Sequence, residues 1–147
     1  MNIAIVGHRG SGKTTLSHML AGLDSPVHPN GTSTLNYVAC QWDNKDVLIW
    51  DFPPGFSPET LTFLNDIRCV IVCADGRRVQ STKSCLEALS VMFKGTIVIA
   101  VTKYSVFSAL LPFYLFDCCH ENTCIPAFYT STGCNLIRSF LINNSSE

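Results

Sequence analysis

The chain has 147 residues, of which 47% are hydrophobic and 14% are charged, and its formal net charge at pH 7 is −1. This length suits one domain. The balanced charge argues against a nucleic-acid-binding surface, and the low charged share predicts an apolar surface that a partner covers. The longest apolar run, residues 106–116, is too short to span a bilayer. We therefore expect one cytoplasmic domain over residues 1–147, without a signal peptide or a direct lipid anchor.

The first elements are a buried strand, a glycine-rich loop and a helix. Residues 2–6 predict the strand, residues 14–22 the helix, and Gly7-His8-Arg9-Gly10-Ser11-Gly12-Lys13-Thr14 lies between them. This loop matches GxxxxGK[ST], the phosphate-binding P-loop, and the strand–loop–helix context favours that interpretation over an ordinary glycine-rich turn. Its glycines let the backbone approach a phosphate at the helix N-terminus. We expect Lys13 to contact the β and γ phosphate oxygens and the Thr14 hydroxyl to bind Mg²⁺.

The rest of the chain alternates strands with helices. Residues 24–34 predict a loop, and residues 35–42 and 46–50 predict a β-hairpin around the turn Asp43-Asn44-Lys45. A second loop begins at Asp51, and Ser57-Pro58-Glu59 is typical of a helix start. Further strands are expected at 69–74, 96–101 and 125–129, and further helices at 82–93, 106–119 and 135–142. This order predicts an α/β fold with a mostly parallel six-stranded sheet, one antiparallel edge strand, and helices on both faces.

The chain contains eight cysteines, and several lie inside predicted strands or helices. A P-loop protein without a signal peptide belongs in a reducing compartment, where thiols stay free. Cys118-Cys119-His120 with Cys124 could form half of a zinc site, but no second ligand pair completes it. We therefore expect free and mostly buried thiols.

Several features beyond the P-loop resemble a small GTPase of the Ras superfamily, with the most likeness to the Arf-like branch. Thr32 lies nineteen positions before Asp51, the spacing that Arf-like proteins use between the switch I threonine and the switch II aspartate. The Trp50-Asp51 pair and Asn36 also match that branch. Residues 130–136, Thr-Ser-Thr-Gly-Cys-Asn-Leu, resemble the last guanine-binding loop. The resemblance implies a single Ras-like G domain with GTP or GDP and Mg²⁺ as cofactors.

The resemblance also implies a set of binding residues. Asp51 is expected to reach Mg²⁺ through a bound water, and Thr32, with Thr34 as an alternative, would join the metal shell beside Thr14. His8 and His18 are expected in the loop and on the helix surface, and the sequence assigns no catalytic residue. The implied nucleotide contacts are Gly10, Ser11, Gly12, Lys13, Thr14, Thr15, Thr32, Lys103, Ser131 and Thr132.

The chain departs from the family pattern in the switch II loop. The family's DxxG becomes Asp51-Phe52-Pro53-Pro54, with Gly55 one position late. Pro54 has no backbone N–H to offer a γ-phosphate. Phe56 stands where active members carry the glutamine that orients the attacking water. Hydrolysis of GTP is therefore expected to be slow at most.

Two further departures concern the base and the P-loop. The family's NKxD becomes Thr102-Lys103-Tyr104-Ser105, so Ser105 replaces the carboxylate that selects guanine. Base selectivity is expected to be weaker as a result. Arg9 replaces a small P-loop residue and could either crowd an incoming arginine finger or act as one.

These features together predict a nucleotide-dependent switch or assembly factor. Its protein effectors or complex subunits would bind through the switch loops and the apolar helix 106–119, with self-association left open and no nucleic acid expected. The alternative is a pseudo-GTPase, a structural or adaptor subunit that does not depend on nucleotide turnover.

Overall fold

The computed structural model describes residues 1–23, 34–55, 60, 67–75, 78–102, 123–125 and 131–144. At residues 79, 123–125, 131 and 132 only the backbone is described. Residues 24–33 of the predicted loop at 24–34, the helix start at 57–59 and the predicted apolar helix at 106–119 lie outside the described residues. No helix in the described ranges is long and apolar enough to cross a membrane.

Nine elements follow one another in the described ranges, and most agree with the sequence pattern. The strands are β1 (Asn2–Val6), β2 (Asn36–Trp42), β3 (Lys45–Asp51), β4 (Ile67–Asp75), β5 (Thr96–Thr102) and β6 (Thr123–Ile125). The helices are α1 (Lys13–Ala21), α2 (Val79–Met92) and α3 (Ser131–Asn144).

The six strands form one sheet in the order β2-β3-β1-β4-β5-β6. Strands β2 and β3 are antiparallel, and every other neighbouring pair is parallel. The hairpin closes through Asp43 and Asn44, whose φ angles of 46° and 63° are those of a type I′ turn. Both residue types tolerate positive φ. The predicted fold class is confirmed.

Both faces of the sheet are covered, which explains why the central strands are continuously apolar. Side chains of β1 alternate, so that Ile3 and Ile5 join one core and Ala4 and Val6 join the other. Helices α1 and α3 supply the first core, and α2 supplies the second. Their buried contributions are Leu16, Leu20, Ile137 and Leu141 in the first core, and Leu86 and Leu89 in the second.

The structure shifts most of the predicted boundaries by one to four residues, as in β4, which begins at Ile67 rather than Cys69, and α2, which begins at Val79 rather than Thr82. Strand β6 begins at Thr123 rather than Ile125, and residues 126–129 of the predicted strand lie outside the described residues. Helix α3 begins at Ser131, four residues earlier than predicted, because its buried stripe extends back to Cys134. Asp51 is the last residue of β3, where it pairs with Asn36, and not the first residue of a loop.

Candidate functional site: a P-loop at the carboxyl end of the sheet

The glycine-rich loop leaves the sheet at the carboxyl end of β1, between the carboxyl ends of β3 and β4. The register aligns Ile5 with Asp51 on one side and Val6 with Val72 on the other. A Cβ atom on Gly7 would lie 2.9 Å from the carbonyl oxygen of Cys73, which leaves no room for a side chain. Glycine is therefore required where the loop passes over β4.

The loop then turns sharply into helix α1. Gly10 and Gly12 have φ angles of 75° and 90°, in the left-handed region that favours glycine. Gly12 caps the helix without a side-chain hydrogen bond, and the first turn contains no acidic residue. A helix N-terminus of this kind carries partial positive charge toward the loop and suits an anion.

Lys13 provides a cation inside the loop. Its side chain is 4% exposed, and its Nζ donates a hydrogen bond to the carbonyl oxygen of His8 at 3.0 Å. The pKa of Lys13 is lowered, mainly by burial, although the nearby Cys73 and Asp51 partly raise it. A buried ammonium is costly without an anionic partner, and a phosphate bound in the loop would supply one.

Thr14 and Asp51 meet at the edge of the loop. The Thr14 hydroxyl donates to Oδ2 of Asp51 at 2.5 Å, and Asp51 is 3% exposed. A hydroxyl and a carboxylate are hard oxygen ligands that fit Mg²⁺. The described residues contain no cluster of three or more His, Cys, Asp or Glu that could hold a metal ion. A metal at this position would therefore need further oxygens from water, from a nucleotide, or from residues outside the described ranges.

The other predicted contacts divide into three groups. Ser11 is buried in the loop and Thr15 is half-buried in the first turn of α1. Ser131 and Thr132 lie in the first turn of α3 rather than in a loop before it. The remaining predicted contacts, Thr32 and Lys103, lie outside the described residues.

Thr102 joins the site although no role there was predicted for it. Its buried hydroxyl donates to the carbonyl oxygen of Ser11 at 2.5 Å and lies 3.5 Å from the carbonyl oxygen of Ala74. This contact ties the end of β5 to the P-loop. The only signal in the sequence was the position of Thr102 at the start of the segment that replaces NKxD.

Two further side chains support the loop in ways that the sequence did not indicate. His8, predicted only as a loop residue, places its Nε2 3.9 Å from Oδ2 of Asp75, which is buried at the end of β4. Phe52 is 1% exposed in the core beneath α2, and its N–H donates to the carbonyl oxygen of Ile5 at 3.0 Å. Phe52 thus anchors the start of the loop after β3 in the core.

A glycine-rich loop between a central parallel strand and a helix, with a buried lysine and an aspartate on the neighbouring strand, defines a P-loop nucleotide-binding domain. A protein-family model described as "50S ribosome-binding GTPase" matches residues 2–103, from β1 past the end of β5. The chain belongs to this family of GTP-binding domains.

The fold is that of a small GTPase. The chain is similar to the Arl6 BBS3 small GTPase from Trypanosoma brucei, solved with the bound nucleotide analogue GppNp. The TM-score is 0.75 at 17% sequence identity, and the match covers 99% of this chain and 97% of the other. No curated protein matches the sequence.

Proposed function

We propose that this chain is a single-domain switch that binds GTP or GDP with Mg²⁺ and uses the bound nucleotide to assemble protein partners. The observation that carries the proposal is the joint placement of a buried Lys13 in the loop and the Thr14–Asp51 contact at its edge. Such a placement matches the needs of a phosphate chain with a divalent cation. Bound Mg²⁺ would neutralise charge on the phosphates.

The individual roles follow from this placement. The backbone at Gly10, Ser11, Gly12 and Thr15 would surround the phosphates, with Lys13 on the β and γ oxygens. Thr14 and Asp51 would hold Mg²⁺, together with Thr32 or Thr34 in the triphosphate state. The base would lie among Lys103, Ser131 and Thr132.

Intrinsic hydrolysis is proposed to be weak because the loop after β3 is poorly suited to position a water. Phe52 fixes the start of this loop in the core, and Pro53 and Pro54 restrict the backbone that follows. Gly55, which could bend, comes one position after the family's glycine and has a φ angle of 79°. Phe56 supplies no polar group to orient a water.

A single-turnover assay on protein preloaded with GTP tests this proposal. We expect a rate no faster than that of Ras without its activator, about 3–5 × 10⁻⁴ s⁻¹. Phe56→Gln should rescue hydrolysis only in part, because Pro54 still lacks an N–H donor. Hydrolysis within seconds in the absence of any partner would contradict the proposal and point to Arg9 as a contributing group.

Protein partners are proposed to bind the switch loops and the apolar segment 106–119, in the cytoplasm. The low charged share of the sequence supports an interaction surface that is partly apolar. The ribosome in the family's description is not part of the proposal, because a net charge of −1 gives no electrostatic attraction to RNA.

The second candidate function is a pseudo-GTPase adaptor, and the anchoring of Phe52 favours it. A loop whose start is fixed in the core responds less to the loss of a γ-phosphate than a loop held by the phosphate alone. Denaturing the purified protein and identifying the released nucleotide separates the candidates. Guanine nucleotide supports the switch, whereas protein that folds and purifies without nucleotide supports the adaptor.

A further inference from the structure

Strand β2 is an edge strand of the described sheet, and its own residues lack the features that usually protect sheet edges. It lies at one end of the strand order and pairs with β3 at all seven positions without a register shift. Its sequence, Asn-Tyr-Val-Ala-Cys-Gln-Trp, contains no charge and no proline. Natural proteins usually blunt exposed edges with charges, prolines or bulges, because an open edge pairs readily with another strand.

The hairpin register shows which backbone groups of β2 face outward. Trp42 and Lys45 flank the two-residue turn and so form a hydrogen-bonded pair. Such pairs alternate along an antiparallel ladder, so the N–H and C=O groups of residues 37, 39 and 41 point away from β3. The side chains of Tyr37, Ala39 and Gln41 are all exposed, Tyr37 to 59%.

We infer that β2 pairs antiparallel with β2 of a second copy of this chain, about a two-fold axis at Ala39. In this register Ala39 faces Ala39 of the second copy, and Tyr37 faces Gln41 of the second copy. It is the symmetric register in which all three outward-facing residues of each strand find a partner, with six backbone hydrogen bonds. The inference goes beyond the proposed function, since β2 contributes no P-loop residue.

The character of the strand argues for a second copy rather than a different protein. With no charge on β2, the strand has no electrostatic preference for a counter-charged partner, and two copies meet without repulsion. On one face the pairing places the half-buried Val38 against Cys40 of the second copy, both apolar. On the other face the small Ala39 lets the strands approach at the centre while Tyr37 packs over Gln41. Each contact away from the axis occurs twice, as a two-fold axis requires.

Sedimentation velocity over a range of protein concentrations tests the inference on the full chain. The wild-type protein should form a dimer in the micromolar range, and Ala39→Pro should be monomeric. Proline removes an outward-facing N–H but no hydrogen bond of the β2–β3 ladder, so the hairpin should be retained. The matched control, Ala39→Val, keeps the N–H and should still dimerise. A monomeric wild-type protein, or dimerisation that survives Ala39→Pro, would overturn the inference.

A pair of double variants tests the register directly and does not depend on proline. Tyr37→Glu with Gln41→Lys places opposite charges across the axis, whereas Tyr37→Lys with Gln41→Lys places like charges there. Gln41 contacts the Asp46 carboxylate at 2.9 Å, so a lysine at position 41 would lie beside Asp46 in both variants. This contact is therefore the same in the two proteins that are compared. The first double variant should dimerise roughly tenfold more tightly than the second. Equal affinities would overturn the Ala39-centred register, and pairing with an unrelated protein but not with itself would overturn the choice of a second copy.

Discussion

At the scale of single residues, Lys13 is expected to have opposite effects on folding stability and on nucleotide binding. Its side chain is almost fully buried and bonds a backbone carbonyl inside the loop. Burial lowers the pKa of Lys13, which shows that the site disfavours the charged form when no anion is bound. A bound phosphate would reverse that balance. The same ammonium should therefore cost stability in the nucleotide-free protein and stabilise the nucleotide complex.

The first prediction follows from this conflict. Lys13→Met should lower nucleotide affinity by about a hundredfold, because it removes charge-assisted hydrogen bonds to the phosphates. The same variant should be more stable than the wild type when both are free of nucleotide, because methionine fills the space without a desolvated charge. Thermal unfolding with and without GTP measures both effects. A variant that is destabilised in the nucleotide-free state would contradict this account of Lys13.

Thr102 gives a second prediction at the same scale. Thr102→Val keeps the shape of the side chain but removes the hydroxyl that donates to the buried carbonyl of Ser11. The free energy of unfolding should fall by about 1–3 kcal/mol, and nucleotide binding should weaken because the loop loses its tie to β5. Thr102→Ser retains the hydroxyl and serves as the control. Chemical denaturation of both variants would show the difference, and equal stability of Val and Ser variants would rule out a role for this hydrogen bond.

At the scale of elements, helix α1 is held at its end by a helix distant in sequence. Gly22 adopts the left-handed conformation after α1, and its N–H bonds the carbonyl of Met19 at 3.1 Å. Arg138 of α3 donates from Nε to Leu20 at 2.8 Å and from Nη2 to Met19 at 2.7 Å. Trp42 also donates to Leu20. The helix that carries Lys13 and Thr14 is thus fixed against both α3 and β2.

The third prediction concerns a variant that removes this cap. Arg138→Met should cost about 1–3 kcal/mol, because two helix-terminal carbonyls lose charged donors. The effect should be local, since Trp42 still donates to Leu20, and Arg138→Lys should recover part of the loss. Amide hydrogen exchange would report faster opening in residues 18–22 than in β1. Uniform exchange across α1 and β1 would instead indicate that the cap serves the whole domain.

Elements set by local signals could be predicted from the sequence, and contacts between distant residues could not. Strand β1 covers the predicted residues 2–6, of which 3–6 are apolar, and the β2–β3 hairpin follows from the Asp43-Asn44 turn. The contact of Thr102 with Ser11 spans 91 positions and has no local signature. The earlier start of α3 depends on burial of Cys134 against the sheet, which the loop-like composition of its first turn concealed.

At the scale of the whole molecule, the pKa values of the cysteine thiols reflect how far the core excludes water. All five cysteines assigned in the described residues are free, as predicted for those positions. Burial raises the pKa of Cys69 and of Cys73 to about 12, and that of Cys85 to about 11. These thiols are therefore poor nucleophiles in the folded protein, because the thiolate is the reactive form.

The fourth prediction is a loss of stability at alkaline pH. A thiol whose folded-state pKa lies above its unfolded value of 9.0 contributes stability that is complete below pH 9 and is lost as pH rises toward 11 or 12. Each thiol should lower the free energy of unfolding by about 1 kcal/mol between pH 9 and pH 10. Lys13 has the opposite effect on the free energy of unfolding, because its pKa in the folded protein is lowered from 10.5 and its contribution to stability therefore increases as the pH rises. The combined effect of three thiols is larger than that of one lysine, so the free energy of unfolding, measured with denaturant, should decrease over this pH range. The decrease should be smaller in a Cys69→Ala, Cys73→Ala double variant. Constant stability over this range would contradict the burial of these thiols.

The site as a whole was predictable only as far as its motif extends. The P-loop glycines, Lys13 and Thr14 follow from one contiguous segment, and the structure places the Thr14 hydroxyl in hydrogen-bond contact with Asp51. Thr32 and Lys103 remain predictions, because both lie outside the described residues. The anchoring of Phe52 depends on the packing of the whole α2 face, which no short pattern encodes.

The most direct test of the central claim is a calorimetric titration of the nucleotide-free protein with GTP in the presence of Mg²⁺. We expect the wild-type protein to bind GTP, with only a modest preference over ATP because Ser105 replaces the base-selecting carboxylate. Ser105→Asp should strengthen that preference, and Lys13→Met should lower the affinity for both nucleotides by about a hundredfold. Absence of GTP binding to the wild-type protein, or equal GTP affinities for the wild type and Lys13→Met, would contradict the assignment of this loop as the nucleotide site.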